Sequence, residues 1–148
     1  MTLKVGDKAP DFNALADNGE KISLSEKLKD GPVVLYFYPK DETPGCTAEA
    51  CSFRDNWDEI RKLGATVIGV SSDSVESHRE FKNNRKLQFT LVSDESKEIR
   101  KLYGATGTLI PPRITFVIGR DGIIREVYNS QLNATKHVEV ALNSLKLA

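Results

Sequence analysis

The run 33–38, six apolar and aromatic residues in succession between Gly31-Pro32 and Pro39, is the strongest constraint on how this chain folds. A strand without polar alternation is buried on both faces, and such strands belong to sheets covered by helices on two sides. Pro39 cannot donate to a ladder and ends the run. The segments that follow alternate in kind. Ala50, Phe53, Trp57 and Ile60 recur at helical spacing, which predicts one amphipathic helix over 47–63, stopped by Gly64. Residues 66–70 read as a strand, and Asp73 followed by Glu76 as the cap of a helix reaching Asn84. A short strand over 89–92 and a helix within 93–103, stopped by Gly104, come next.

Two hairpins frame this core. Residues 12–16 and 21–24 flank Asp17-Asn18-Gly19, and residues 113–118 and 123–128 flank Asp121-Gly122. Asn-Gly and Asp-Gly supply the positive φ angles of tight hairpin turns. Val138, Ala141, Leu142 and Leu145 mark a last helix. The order predicts an α/β protein with right-handed parallel crossovers and a mixed central sheet flanked by helices: a thioredoxin-like fold with an N-terminal β-hairpin extension. Flavodoxin-like topologies share its first half but fit the closing hairpin and helix less well.

At 148 residues without repeats or linker-like tracts, the chain reads as one domain spanning 1–148. Lys plus Arg equals Asp plus Glu at 21 each, so no net field draws in nucleic acid or an anionic membrane, and neither is expected as a partner. Lys4, Asp7, Lys8, Asp11, Asp17 and Glu20 interrupt the first thirty residues, and no run approaches the roughly 20 apolar residues of a membrane span. The expectation is a cytoplasmic protein, in which Asn133-Ala134-Thr135 matches a glycosylation acceptor by chance.

The chemistry concentrates in 38–51, where the buried strand hands over to a helix. In open α/β sheets the crevice beyond the carboxyl ends of the strands is the usual ligand site. With Thr43 or Gly45 near the N-cap, Cys46 falls in the first turn, where unpaired amides and the helix dipole favour a thiolate. On a helical wheel Ala50, Phe53, Trp57 and Ile60 lie within about 40° of Cys46, so its sulfur points inward. Cys51 lies about 140° away, toward Asp55, Asp58 and Lys62. Residues five apart on a helix are about 8.6 Å apart at Cα, whereas a disulfide needs less than about 7 Å. Bridging the pair therefore requires the helix start to unwind. Either the two cysteines form a switch or they are small space-filling residues.

Pro39-x-x-x-Thr43-x-x-Cys46 matches the peroxidatic signature of the peroxiredoxins. The longer run from Thr43 to Cys51 resembles the peroxiredoxin Q group, also called bacterioferritin comigratory proteins. Residues 6–12, 89–94, 103–104 and 113–118 agree with it, and the resemblance covers most of the chain. It implies a peroxidatic Cys46, a resolving Cys51 in an atypical two-cysteine arrangement, a hydroperoxide substrate and recycling by thioredoxin or a similar dithiol. No cofactor or metal is expected, since the chain has no Walker or dinucleotide motif and only two cysteines and two distant histidines. A monomer or weak homodimer is expected.

A thiol of pKa about 8.5 is about 3% ionised at pH 7, so complete ionisation gains only about thirtyfold. The remaining rate must come from groups that position peroxide and stabilise charge moving onto the leaving oxygen. The resemblance assigns this to Arg113 as the cation and to the Thr43 hydroxyl. The amides of Gly45 and Cys46 can donate, and Pro39 can shield the sulfur. Glu49 is expected to fix Arg113 or to cap the helix. His78 and His137 read as solvated surface residues, and Tyr36, Tyr38, Phe53 and Trp57 as core or pocket wall. Two other readings of the same cysteines are a thiol-disulfide oxidoreductase, disfavoured by the lack of Cys-x-x-Cys, and a non-enzymatic redox sensor.

Overall fold

The computed structural model describes residues 2–107 and 110–147. Seven strands form one mixed sheet: β1 (Asn13–Ala16), β2 (Lys21–Ser23), β3 (Val33–Phe37), β4 (Thr66–Ser71), β5 (Thr90–Ser93), β6 (Ile114–Ile118) and β7 (Ile124–Asn129). Their spatial order is β2-β1-β5-β4-β3-β6-β7. β3, β4 and β5 pair in parallel, while β6, β7 and the β1–β2 hairpin join antiparallel. The fold is thioredoxin-like, as the element order implies.

Six helices cover the sheet: α1 (Leu24–Leu28), α2 (Pro44–Asp55), α3 (Trp57–Lys62), α4 (Val75–Arg85), α5 (Glu98–Tyr103) and α6 (Lys136–Lys146). All five residues of β3 are buried, and their alternation builds two cores. Val34, Tyr36 and Tyr38 meet Cys46, Ala50 and Phe53 of α2, Phe81 of α4 and the apolar stripe of α6. Val33, Leu35 and Phe37 meet Leu24 and Leu28 of α1 and Ile99 and Tyr103 of α5. The continuous apolar run thus has the use foreseen for it, one core on each face.

Four expectations need correction. The helix foreseen over 47–63 starts earlier and breaks in two. Pro44 occupies a first-turn position of α2, where its missing N–H costs nothing. Asn56 interrupts the helix at φ −103°, ψ 10°, and its side-chain amide donates to the Ser52 carbonyl at 2.8 Å. That is the local competition with backbone bonding that makes Asn a poor helix-interior residue. The cap of α4 is Ser74, whose Oγ accepts from the Ser77 amide at 3.1 Å, and Asp73 is used elsewhere. The helix foreseen within 93–103 shrinks to its last six residues because Asp94 reaches forward to accept from the amides of Ile99 and Arg100. α1 was not foreseen; it is one short turn capped by Ser23.

The N-terminal hairpin is part of the main sheet. β1 pairs with β5 through Leu15–Ser93 and Ala16–Val92, and Asp17 holds the junction by accepting from the Leu91 amide at 3.0 Å and pairing with Lys82 Nζ at 3.1 Å.

Candidate functional site

β3 delivers Tyr38 and Pro39 at its carboxyl end, a loop follows, and Thr43 begins α2 at its N-cap position. The Thr43 hydroxyl does not cap the helix. It donates to the Lys40 carbonyl at 2.8 Å, so its free capacity is to accept. The first turn of α2 carries no acidic residue. This start lacks both usual stabilisers, a side-chain cap and a negative charge near the dipole's positive end.

Cys46 lies in that turn at 1% exposure, and Cys51 is half-buried; both are free thiols. Arg113, immediately before β6, is also buried. Its Nη2 donates to Cys46 Sγ at 3.5 Å, its Nη1 to Glu49 Oε1 at 2.7 Å and its Nε to the Gln131 carbonyl at 3.4 Å. Glu49 sits one turn after Cys46 on the buried face of α2, and it fixes Arg113 instead of capping the helix. Gly45 makes the fit possible: a Cβ there would lie 2.9 Å from Arg113 Nη2. Cys46, Glu49, Arg113 and Gly45 are therefore brought together, with Thr43 and Pro39 on the segment leading in. Cys51 stands five residues along the same intact helix.

Both histidines were misjudged as solvated, since each is fully buried. Periodicity hid them because their stretches are otherwise polar. His137, on α6, has its Nε2 2.8 Å from the Ser130 carbonyl, which only accepts, so that nitrogen carries a proton. Burial and Arg113 lower its pKa to about 4, against the pull of the Ser130 bond. The neutral ring's Nδ1 then accepts from the Thr115 hydroxyl at 2.8 Å and lies 3.6 Å from Glu49 Oε2. Burial raises the Glu49 carboxyl to about 8, with Arg113 pulling the other way. Glu49 Oε2 has no hydrogen-bond partner among the described residues. Burial opposes charge on Arg113 too, but Glu49 and Cys46 together lift its pKa above the ordinary value.

His78 anchors the loop before α2. Its Nδ1 is 2.7 Å from Asp41 Oδ2 and its Nε2 2.9 Å from the Val92 carbonyl. Asp41 also accepts from Tyr38 Oη at 2.5 Å and Ser77 Oγ at 2.8 Å, and its amide donates to Asp73 Oδ2 at 2.8 Å. Asp41, Asp73 and His78 are close enough to resemble a cation site, yet their oxygens already accept from protein donors.

The chain matches the AhpC/TSA family over residues 5–127. It is 46% identical over 144 residues to the chloroplastic peroxiredoxin Q of Oryza sativa subsp. japonica, covering 95% of this chain and 66% of that protein. The chain belongs to the AhpC/TSA family, in its peroxiredoxin Q group. Among solved structures, the peroxidoxin BcpB of Mycobacterium tuberculosis superimposes on this AhpC/TSA chain with a TM-score of 0.94 at 37% identity, covering 98% of this chain and 97% of that one. The bacterioferritin comigratory protein of Xanthomonas campestris, studied for alkyl peroxide reduction, does so at 0.86 and 29% identity, covering 92% and 90%.

The chain spans about two thirds of the length of the rice relative. The expected cytoplasmic location is overturned by relatives such as this one, named as chloroplastic. The expectation rested on finding no apolar leader, and plastid transit peptides are not apolar.

Proposed function

We propose that this AhpC/TSA protein is a thiol-dependent peroxidase in which Cys46 is the reacting thiol and Cys51 resolves it. The observation that carries the reading is the Arg113–Cys46 contact inside a buried site, with the guanidinium braced by Glu49.

The Cys46 thiolate attacks one peroxide oxygen, an S–O bond forms as the O–O bond breaks, and the departing oxygen leaves as water or an alcohol once protonated. Arg113 stabilises the charge shared between sulfur and the leaving oxygen, and the first-turn amides of α2 donate to the same region. The Thr43 hydroxyl, its proton committed to Lys40, accepts from the peroxide O–H. Pro39 shields the sulfur. The Cys46 sulfenic acid then condenses with the Cys51 thiol, releasing water and forming a disulfide, which an external dithiol of the thioredoxin type reduces by exchange.

The weak start of α2 supports the second half of this cycle. Two cysteines five apart on a helix cannot bridge, and a first turn without a side-chain cap or an acidic residue is inexpensive to open. The names of the relatives support a peroxide substrate, an alkyl peroxide in the case of the Xanthomonas protein; hydrogen peroxide and organic hydroperoxides are the substrates of this proposal. Steady consumption of peroxide coupled to thioredoxin, thioredoxin reductase and NADPH tests the proposal. Turnover is expected in the unmodified protein and none in Cys46→Ser. Reduction of insulin disulfides without peroxide consumption would favour an oxidoreductase, and a single stoichiometric oxidation without turnover would favour a sensor.

A further inference from the structure

One buried ion has no part in that chemistry. Arg100, on α5, is 2% exposed and among the largest fully buried side chains. Among the described residues no carboxylate meets its guanidinium; Asp94 accepts from the backbone amides of Ile99 and Arg100. Nη1 donates to the carbonyls of Ala105 at 2.8 Å and Pro112 at 3.1 Å, and Nη2 to that of Tyr38 at 2.5 Å. Nε has no partner, and the group lies over the Phe37 ring at 5.6 Å. A cation held in the interior by neutral groups is costly unless something nearby gains from its charge.

Two of those acceptors have a common meaning. Tyr38 directly precedes Pro39, and Pro112 directly precedes Arg113. We infer that Arg100 is a second cation of the site, a positioning residue that ties the segment carrying Pro39 to the segment carrying Arg113 and lends its charge to the Cys46 thiolate. Burial pushes the Arg100 pKa down, while Asp94, Cys46 and Tyr38 pull it back up. The Tyr38 and Pro112 carbonyls that hold the guanidinium adjoin the Cys46 pocket, since Tyr38 packs with Cys46 and Pro112 precedes the arginine that meets its sulfur, so the Arg100 charge lies in the same buried region. The planar fork suits this role, because one guanidinium reaches three carbonyls from three segments, which an ammonium on a single stem does poorly.

The inference rests on Cys46 being the reacting thiol, and its test needs no peroxide. In a Cys51→Ser background, Cys46 is alkylated with iodoacetamide at pH 6 and pH 9, and the rate is read by intact mass. Arg113, Glu49, His137, Tyr36 and Tyr38 face the same region and are unchanged in every protein compared. Arg100→Gln is expected to be about tenfold slower at pH 6 and to fall within about twofold of the parent at pH 9. Arg100→Lys, which keeps the charge, is expected to restore most of the pH 6 rate. Arg100→Met supplies a second neutral side chain if the glutamine variant does not fold. Neutral variants that match the parent at pH 6 would overturn the inference, as would slowing of equal size at both pH values. Absence of peroxidase turnover alongside the expected alkylation pattern would count against the proposed function and leave this inference standing.

Discussion

Replacing Gly45 by alanine tests whether the guanidinium must sit where it does. The added Cβ would stand 2.9 Å from Arg113 Nη2, against an ordinary contact of 3.4 Å or more, so the group must retreat by about 0.5 Å. Its other contacts limit where it can go: Glu49 Oε1 holds Nη1 at 2.7 Å and the Gln131 carbonyl holds Nε at 3.4 Å. A retreat from α2 carries Nη2 away from Cys46 Sγ, which is already at 3.5 Å. A hydrogen bond to a charged group contributes about 1.5–3 kcal/mol, and each 1.4 kcal/mol is tenfold. Loss of the contact therefore slows the first oxidation by roughly 10- to 100-fold. The backbone effect runs the other way, because alanine in a helix is favoured over glycine by up to about 1 kcal/mol. Gly45→Ala is thus expected to react more slowly with hydrogen peroxide, the rate being taken from single-turnover quenched flow, and to unfold at a slightly lower temperature, the propensity gain offsetting only part of the lost contact. A rate within twofold of the unmodified protein would refute the reasoning.

Three further outcomes follow from the same geometry. Cys51→Ser is expected to keep the rate of first oxidation and to lose sustained turnover with a dithiol reductant; unchanged turnover would move resolution to another thiol. Stability should depend on pH through two buried groups of opposite sign. Glu49, raised from 4.5 to about 8, keeps a proton that the unfolded chain loses, so its contribution falls as pH rises through that interval. His137, lowered from 6.5 to about 4, refuses a proton that the unfolded chain takes up, so its contribution rises with pH and is complete above 6.5. The two offset each other up to about pH 6.5, and only the Glu49 loss remains from there to pH 8, about 2 kcal/mol in urea unfolding. Glu49→Gln should abolish that alkaline decline, and a decline of equal size in the variant would assign it elsewhere. His78→Phe leaves Asp41 buried without its imidazole partner and is expected to cost about 3 kcal/mol in urea unfolding; a cost below about 1 kcal/mol would show that Tyr38 and Ser77 alone satisfy the carboxylate.

The legible parts of this protein are those where local chemistry and burial agree. Val33 to Phe37 is apolar at every position and is buried at every position. Cys46, Ala50 and Phe53 share one buried helix face, as their spacing implies. For Glu49, one turn of helix from Cys46, the sequence leaves open whether it fixes Arg113 or caps the helix, and only the structure pairs it with Arg113. What escaped depends on contacts distant in sequence. His137 reads as a surface residue beside Lys136 and Glu139, and only packing of α6 over β6 brings it to Thr115 and Glu49. His78 is buried by a loop 37 residues away. Arg100 escapes notice because Glu98, Arg100 and Lys101 make that short helix strongly charged, although a wheel puts Arg100 nearer Tyr103 than Glu98, on the side that is buried. The break at Asn56 turned on a single side-chain bond to Ser52, which periodicity averages away.

The position at which peroxide oxidises the chain tests the cysteine cycle most directly. One equivalent of hydrogen peroxide added to the reduced protein, followed by intact mass and non-reducing tryptic mapping, should give a loss of about 2 Da confined to the peptide between Lys40 and Arg54, which holds both cysteines. A stable gain of about 16 Da, or no change, would contradict resolution of Cys46 by Cys51.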